Sequence, residues 1–285
     1  VATDIRMNAI VETQSGKTLQ CSIKDNGNPD QLLAPDYGTM AIASLSEKAQ
    51  YQTNCSFPIT SASFSEENNQ PTQKNTSTSL MGSVAVAYLL QPAQIMESNF
   101  SIAWHFSNLQ FNKLAADKGR YYNNWYKSAA EVTQYVTKHF LQLSQDTTLW
   151  KQTWYDSSLP YWFLERTFLN ISTLATTTSH RFESGRFYGW EGVGCCAGTC
   201  THVWQYAQAM GRIFPAVEKD TREKIDLGVS LQPDGMIWYR GEQGQSPAID
   251  GQAGTILRIY REHQMSSNDL FLQQNWHKIK KAVQW

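Results

Sequence analysis

Residues 1–112 carry short runs of β-branched and aromatic residues, several of them alternating with polar ones. TLQCSIKD (18–25), YGTMAIASLS (37–46), GSVAVAYLLQP (82–92) and SNFSIAWHF (98–106) are separated by Gly, Pro, Asn and Ser, as in DNGNPD (25–30). A period of two puts every second side chain on the same face of a strand, so this spacing predicts a β-sandwich. Between the runs, SEENNQPTQKNTSTS (65–79) is polar and without period, and is expected to be a long surface loop.

From about residue 120 the period lengthens to that of a helix. Ala129, Val132, Val136, Phe140 and Leu143 form one apolar stripe; Leu159, Trp162, Phe163, Thr167, Ile171 and Leu174 form a second behind Pro160. Val203, Tyr206, Ala207, Met210 and Phe214 form a third, ended by Pro215. Ile256, Ile259, Tyr260 and His263 form a fourth, and Leu272, Trp276, Ile279 and Val283 a fifth, with Ser266 and Ser267 as its caps. No short repeat or low-complexity tract interrupts the pattern, which argues against solenoids and disordered tails.

Composition narrows the class. A chain of 285 residues with 41% hydrophobic content is large enough for a substantial core in one or two domains. Lys and Arg total 24 against 25 for Asp and Glu, so neither sign dominates, and nucleic acid and anionic membrane surfaces are not the expected partners. No apolar run approaches the roughly 20 residues of a membrane span. The chain opens at Val1 without a leader-like pattern and ends on a helical stripe, and so reads as part of a longer protein; its compartment and oligomeric state are left open. Five cysteines are too few for a disulfide scaffold and, being odd in number, leave at least one without a partner.

The densest candidate chemistry lies in WEGVGCCAGTCTHVW (190–204). Cys195, Cys196, Cys200 and His202 are metal-ligand types, but adjacent cysteines chelate one ion poorly and no second CxxC closes a tetrahedral site. His202 as base to a cysteine nucleophile is a second reading, and small buried thiols a third. Neither a metal nor a cofactor is expected. Glu191 sits in a turn with Gly189, Gly192, Gly194 and Gly198, where glycine lets backbone approach a ligand. AIDGQAG (248–254) places Asp250 at another helix start, where an anion is favoured and simple capping is the plain alternative. Two carboxylates on two helix-start loops suit a glycosidase pair as well as ordinary caps.

GRYYNNWYKSAAEV (119–132), YDSSLPYWFLERTFLNISTLA (155–175), RFYGWEGVGCCAGTCTHVWQYAQAMGRIFP (186–215) and AIDGQAGTILRIYREHQMSSNDLFLQQNW (248–276) together resemble glycoside hydrolase family 116, which includes non-lysosomal glucosylceramidases and β-glucosidases. The resemblance extends over most of residues 80–285. It implies the C-terminal portion of a β-sandwich over 1–115 and the first half of an (α/α)6 barrel over 116–285. It also implies a retaining β-glycosidase that takes a small-molecule β-glycoside, with peripheral contact to a lipid-linked sugar as a further expectation. The family's Glu-Gly nucleophile maps onto Glu191, and its acid/base Asp is expected beyond Trp285, so this chain is expected to hold half a site with little turnover. The family has an acidic glycone-binding residue where this sequence has His202, and a His where the nearest substitute is Arg240. Asp250 maps onto an acidic residue that opens the next helix and is assigned to substrate contact or support. Trp190, Trp204 and Trp238 are candidate stacking platforms. A non-catalytic carbohydrate-binding protein and a Cys/His metal-binding protein are the competing classes.

Overall fold

The computed structural model describes residues 4–64, 69–111, 117–189, 197–201 and 209–285. They form two compact units, Val1–Gln110 with Tyr122–Thr153, and Phe111–Tyr121 with Trp154–Trp285.

The first unit is built on an antiparallel five-stranded sheet of β1 (Ile5–Thr13), β2 (Gly16–Ile23), β3 (Thr39–Ser44), β5 (Thr72–Asn75) and β7 (Phe100–His105), in the order β5-β1-β2-β3-β7. A short helix, α1 (Pro29–Leu33), follows β2, with Asn28 accepting from the Asp30 amide at 3.0 Å. The remaining two strands, β4 (Gln50–Gln52) and β6 (Ser83–Ala85), pair only with each other. Helix α2 (Ala129–Tyr155) belongs to this unit as far as Thr153.

Register decides which side chains meet α2. Gln20, Ala41 and Ala103 lie opposite one another across three strands, and Ala41 and Ala103 pack on Ala129. Small residues let the helix come close enough for Thr39 Oγ1 to accept from the Ala129 amide at 2.8 Å and Gln20 Oε1 from the Ala130 amide at 3.1 Å. These two side chains cap the first turn of α2, whose amides have no intrahelical acceptor. On the other face of the sheet, Leu19 is buried under the β4–β6 ribbon: a Cβ on Gly82 would come within 2.6 Å of its side chain. Asn8 Nδ2 donates to Thr53 O and Tyr51 OH to Lys17 O, which ties the ribbon down.

The alternation reading holds for β2, β3 and β7, and three corrections follow. The supposed loop 65–79 contains β5, which pairs with β1 from Ile5↔Asn75 to Asn8↔Thr72; residues 65–68 of it lie outside the described residues. The run 82–92 yields only three strand residues, and Leu89 and Leu90 are exposed. Where a sandwich was expected, the second layer over the five-stranded sheet is only a two-stranded ribbon.

The second unit contains α3 (Tyr161–Phe168), a 3-10 segment (Leu169–Ala175), a hairpin of β8 (Ser179–Arg181) and β9 (Phe187–Gly189), α4 (Ala209–Ile213) and α5 (Pro215–Thr221). A π-helical stretch (Arg222–Val229), β10 (Tyr239–Glu242), α6 (Ile249–Gln264) and α7 (Leu270–Gln284) complete it. Its apolar core is Leu227, Ile237, Ile259, Phe271, Ile279 and Ala282. Burying each of the large side chains contributes roughly 1.5–3 kcal/mol. Gln252 crosses this core, accepting from the Ile237 amide at 2.7 Å and donating to Gly235 O and Ala282 O.

Here too the sequence reading needs correction. The third stripe does stop before Pro215, α4 ending at Ile213, and Pro215 then also starts α5, at a position where its missing N–H costs nothing. The N-cap of α7 is Asp269, not Ser266 or Ser267; Asn268 Oδ1 accepts from the Leu270 amide, and Ser266 Oγ donates back to Glu262 O. Three short strands stand among helices where only helices were expected. The architecture displayed by the described residues is an antiparallel β region followed by several helices, with no toroid among them.

Candidate active site

Four of the six residues singled out from sequence, Trp190, Glu191, His202 and Trp204, lie outside the described residues, as do Cys195 and Cys196. What is described is the frame on either side of 190–196.

The hairpin β8–β9 leads into that stretch, with Ser179↔Gly189 and Arg181↔Phe187 in register. Tyr188 is buried and stacked on Phe111 at 5.2 Å, with Phe182 edge-on at 6.1 Å. Arg181 lays its guanidinium over the Tyr121 ring at 3.6 Å, a cation–π contact that braces the outer side of the hairpin. The chain returns beside its own point of departure: the Thr199 amide donates to Gly189 O at 2.8 Å, and the Gly198 amide to Tyr188 Oη at 2.9 Å. Only glycine fits at 198, because a Cβ there would stand 2.5 Å from the Tyr188 ring and 2.7 Å from Gly189 O. Thr199 adopts φ +59°, the left-handed conformation that a β-branched residue rarely takes, so the surrounding contacts hold it there.

Two arginines hold the same return segment. Arg240, on β10, donates from Nη1 to Ala197 O. Arg258, on α6, donates from Nη1 to Thr201 O at 3.0 Å and is almost wholly buried. Burial, then the neighbouring Arg222 guanidinium, lower the Arg258 pKa, while Asp226 and Glu218 oppose them. Gly251 of α6 packs on Thr201 so closely that a Cβ would collide with its hydroxyl.

Asp250 is exposed in the first turn of α6 and accepts from the Gly251 amide at 2.9 Å, which is a helix-start contact. Trp238 is half-buried, with its amide bonded to Ser230 O. Cys200 is buried. No group of three or more His, Cys, Asp or Glu side chains has a metal-holding arrangement among the described residues.

Sequence reasoning missed the buried ions beneath this frame. Asp226 receives Arg222 in a close ion pair, with Arg258 Nη2 at 3.5 Å and Thr255 Oγ1 at 3.4 Å. Glu218 lies 3.4 Å from Arg222 and 3.9 Å from Arg261. The signal was present in the four-residue spacing of Glu218, Arg222 and Asp226, but charged helical positions ordinarily read as solvated. A second polar group, Arg186 bonded to Asp117 at 2.9 Å and to both oxygens of Glu242 at 2.7 and 2.8 Å, borders a cavity of about 240 Å³ that Phe187 and Lys224 also line. Burial works against the charge of Glu242, but the hydrogen bonds and charge of Arg186 outweigh it and lower its pKa.

The class these features define is a mixed protein, with an antiparallel β domain carrying a long helix followed by a mainly helical region with charge buried at its centre. Residues 6–143, just under half of the chain and all of that sheet but Ile5, match the family described as beta-glucosidase 2, glycosyl-hydrolase family 116 N-term. Over these residues the chain is similar to the N-terminal domain of glycosyl-hydrolase family 116. No curated protein matches the chain.

Proposed function

We propose that the protein is a retaining β-glycosidase of the β-glucosidase or glucosylceramidase type, with Glu191 as nucleophile, and that residues after the N-terminal domain form part of an (α/α)6 barrel. The observation that carries the reading is the family 116 N-terminal domain at residues 6–143, followed on the same chain by Trp190-Glu191-Gly192. The frame of β9, Gly198, Thr199, Arg240 and Arg258 supports it, because it fixes the backbone on the two sides of that turn.

In this reading the Glu191 carboxylate attacks the anomeric carbon, the glycosidic C–O bond breaks, and a second carboxyl group protonates the departing oxygen. Water then cleaves the glycosyl ester and the sugar leaves with its original stereochemistry. The two carboxyl groups of such a pair stand about 5–5.5 Å apart, and proton donation to the leaving group is worth about 10²–10⁴-fold. His202 binds sugar hydroxyls, and Trp190 and Trp204 stack on the pyranose face. Arg240 and Asp250 act at the rim, Arg240 through the Ala197 carbonyl it already holds. The substrate is a neutral β-glycoside, in keeping with the balanced charge of the chain.

The test is hydrolysis of aryl β-glucosides by the gene product extended to its full reading frame, beside its Glu191→Gln variant. A loss of at least a thousandfold in kcat, on the order expected for an essential group, supports the nucleophile; unchanged turnover refutes it.

A second reading has one specific observation behind it. Phe100, Ile102 and Trp104 project from the exposed face of edge strand β7 beside Met40, an apolar row with two aromatic rings on which a sugar chain can lie. Retention on immobilised β-glucan lost in Trp104→Ala, but not in Glu191→Ala, would identify the first unit as a sugar-binding module.

A further inference from the structure

Glu262, on α6, is fully buried, and neither carboxylate oxygen has a hydrogen-bond partner among the described residues. It shares its surroundings with Glu218 of α5: a Cβ on Gly211 of α4 would lie 3.4 Å both from Glu262 Oε1 and from the Glu218 side chain. The charged groups that face it are Glu218 and Lys219 on α5, Arg222 on the π stretch and Arg261 on α6 itself, with Arg212 of α4 acting on Arg261. Of these cations, Arg222 and Arg261 lie against other carboxylates. Arg222 pairs with Asp226 and, with Arg261, lies against Glu218, while Arg258 lies against Asp226. An ionised carboxylate in that position would lose its water and gain no hydrogen-bond donor from the described residues, a situation that carboxyl groups relieve by taking up a proton.

We propose that Glu262 is carried as the neutral carboxylic acid in the folded protein at neutral pH, and that its ionisation in alkaline solution loosens the seating of α6 on α4 and α5. The geometry is supported by the electrostatics: burial first, and the charge of Glu218 second, raise the Glu262 pKa against the opposing pull of Arg261, Lys219 and Arg222. The sign of the linkage follows. A carboxyl group whose folded pKa is raised makes its full contribution below its unfolded value, and that contribution is lost as pH rises through the folded value. Because it rests on the second unit's packing, the proposal is independent of any sugar chemistry.

Urea unfolding of the chain and of Glu262→Gln, from about pH 5 to about pH 9, tests it. Glutamine keeps the shape of the protonated acid without its charge, so its unfolding midpoint should match or exceed the parent's at alkaline pH, and the parent's fall with pH should flatten by one proton. The infrared carbonyl stretch of a protonated carboxylic acid should be present in the parent at neutral pH, vanish on alkalinisation, and be missing from the variant. Parallel pH curves for the two proteins, or a parent spectrum with no such band, overturns the proposal. Should Glu262→Gln not fold, the parent spectrum decides alone.

Discussion

The two units bury polar groups in opposite ways. In the first, several buried polar side chains are neutral and hydrogen-bonded to one another or to backbone: Thr18 and Thr133 share a hydrogen bond of 3.1 Å between sheet and helix, and Asn8 bonds Thr53 O across to the ribbon. In the second, the buried polar side chains include a cluster of charged ones, Arg222, Asp226, Arg258 and Glu218, with the Glu262 carboxyl group beside it. Neutral pairs cost little to desolvate and lock a register. Buried ions are expensive to desolvate, their balance fails when one member is lost, and they respond to protons. The first unit is built as a scaffold, whereas the second carries stored electrostatic imbalance of the kind in which perturbed carboxyl groups and anchored loops occur.

The largest effect should come from breaking that balance. Asp226→Ala leaves Arg222 and Arg258 facing each other without their anion, and should cost roughly 3–5 kcal/mol by urea unfolding. A loss under about 1 kcal/mol would show that the network is no more demanding than a surface pair.

Next is Gly198→Ala, which forces a methyl group against Tyr188 and Gly189 O. A loss of roughly 1–3 kcal/mol is expected, with faster amide exchange at 198 and 199 as the specific readout; native exchange there would show that the two ends of the turn are not held by these bonds.

Smaller again is Thr133→Val in the first unit, which removes two neutral hydrogen bonds, to Thr18 and to Ala130 O, and should cost about 1–2 kcal/mol, independent of salt and pH. A marked pH dependence of that loss would erase the contrast between the units.

The smallest effect concerns the Arg186–Glu242 pair. Because the Glu242 pKa is lowered, its contribution is present above the ordinary glutamate value and is lost as pH falls through the folded value. Glu242 is partly exposed, so solvent screens the pair. Arg186→Met should therefore slightly reduce the acid sensitivity of unfolding, measured in urea between about pH 6 and about pH 3.

Much of the first unit is legible in the sequence because one face of each strand is covered. The alternation of Ser101, Ala103 and His105 with Phe100, Ile102 and Trp104 along β7 is a direct print of that covering. β5 was not legible, since Thr72, Gln73, Lys74 and Asn75 carry no apolar pattern; its place comes from backbone pairing with β1 at the sheet's edge. β1 was missed for a related reason, because Asn8 points inward where an apolar residue would have kept the period clear. In the second unit, Pro215 was legible as the stop of α4 but not as the start of α5, because proline ends helices more visibly than it starts them. Of the site, the Glu-Gly stretch lies outside the described residues, and the arginines that hold the segment after it were not legible, since nothing local distinguishes a buried guanidinium from a solvated one. Arg240 was singled out as a sugar contact, and its guanidinium bonds the backbone at Ala197.

The central claim is that Glu191 forms a bond to a sugar. Treating the chain with a fluorinated β-glucoside whose leaving group is an activated nitrophenolate bypasses the need for an acid catalyst, and peptide mass spectrometry then locates any adduct. The account predicts one fluoroglycosyl ester, on Glu191, absent from Glu191→Gln. An adduct on another carboxylate, with Glu191 unmodified, would contradict it.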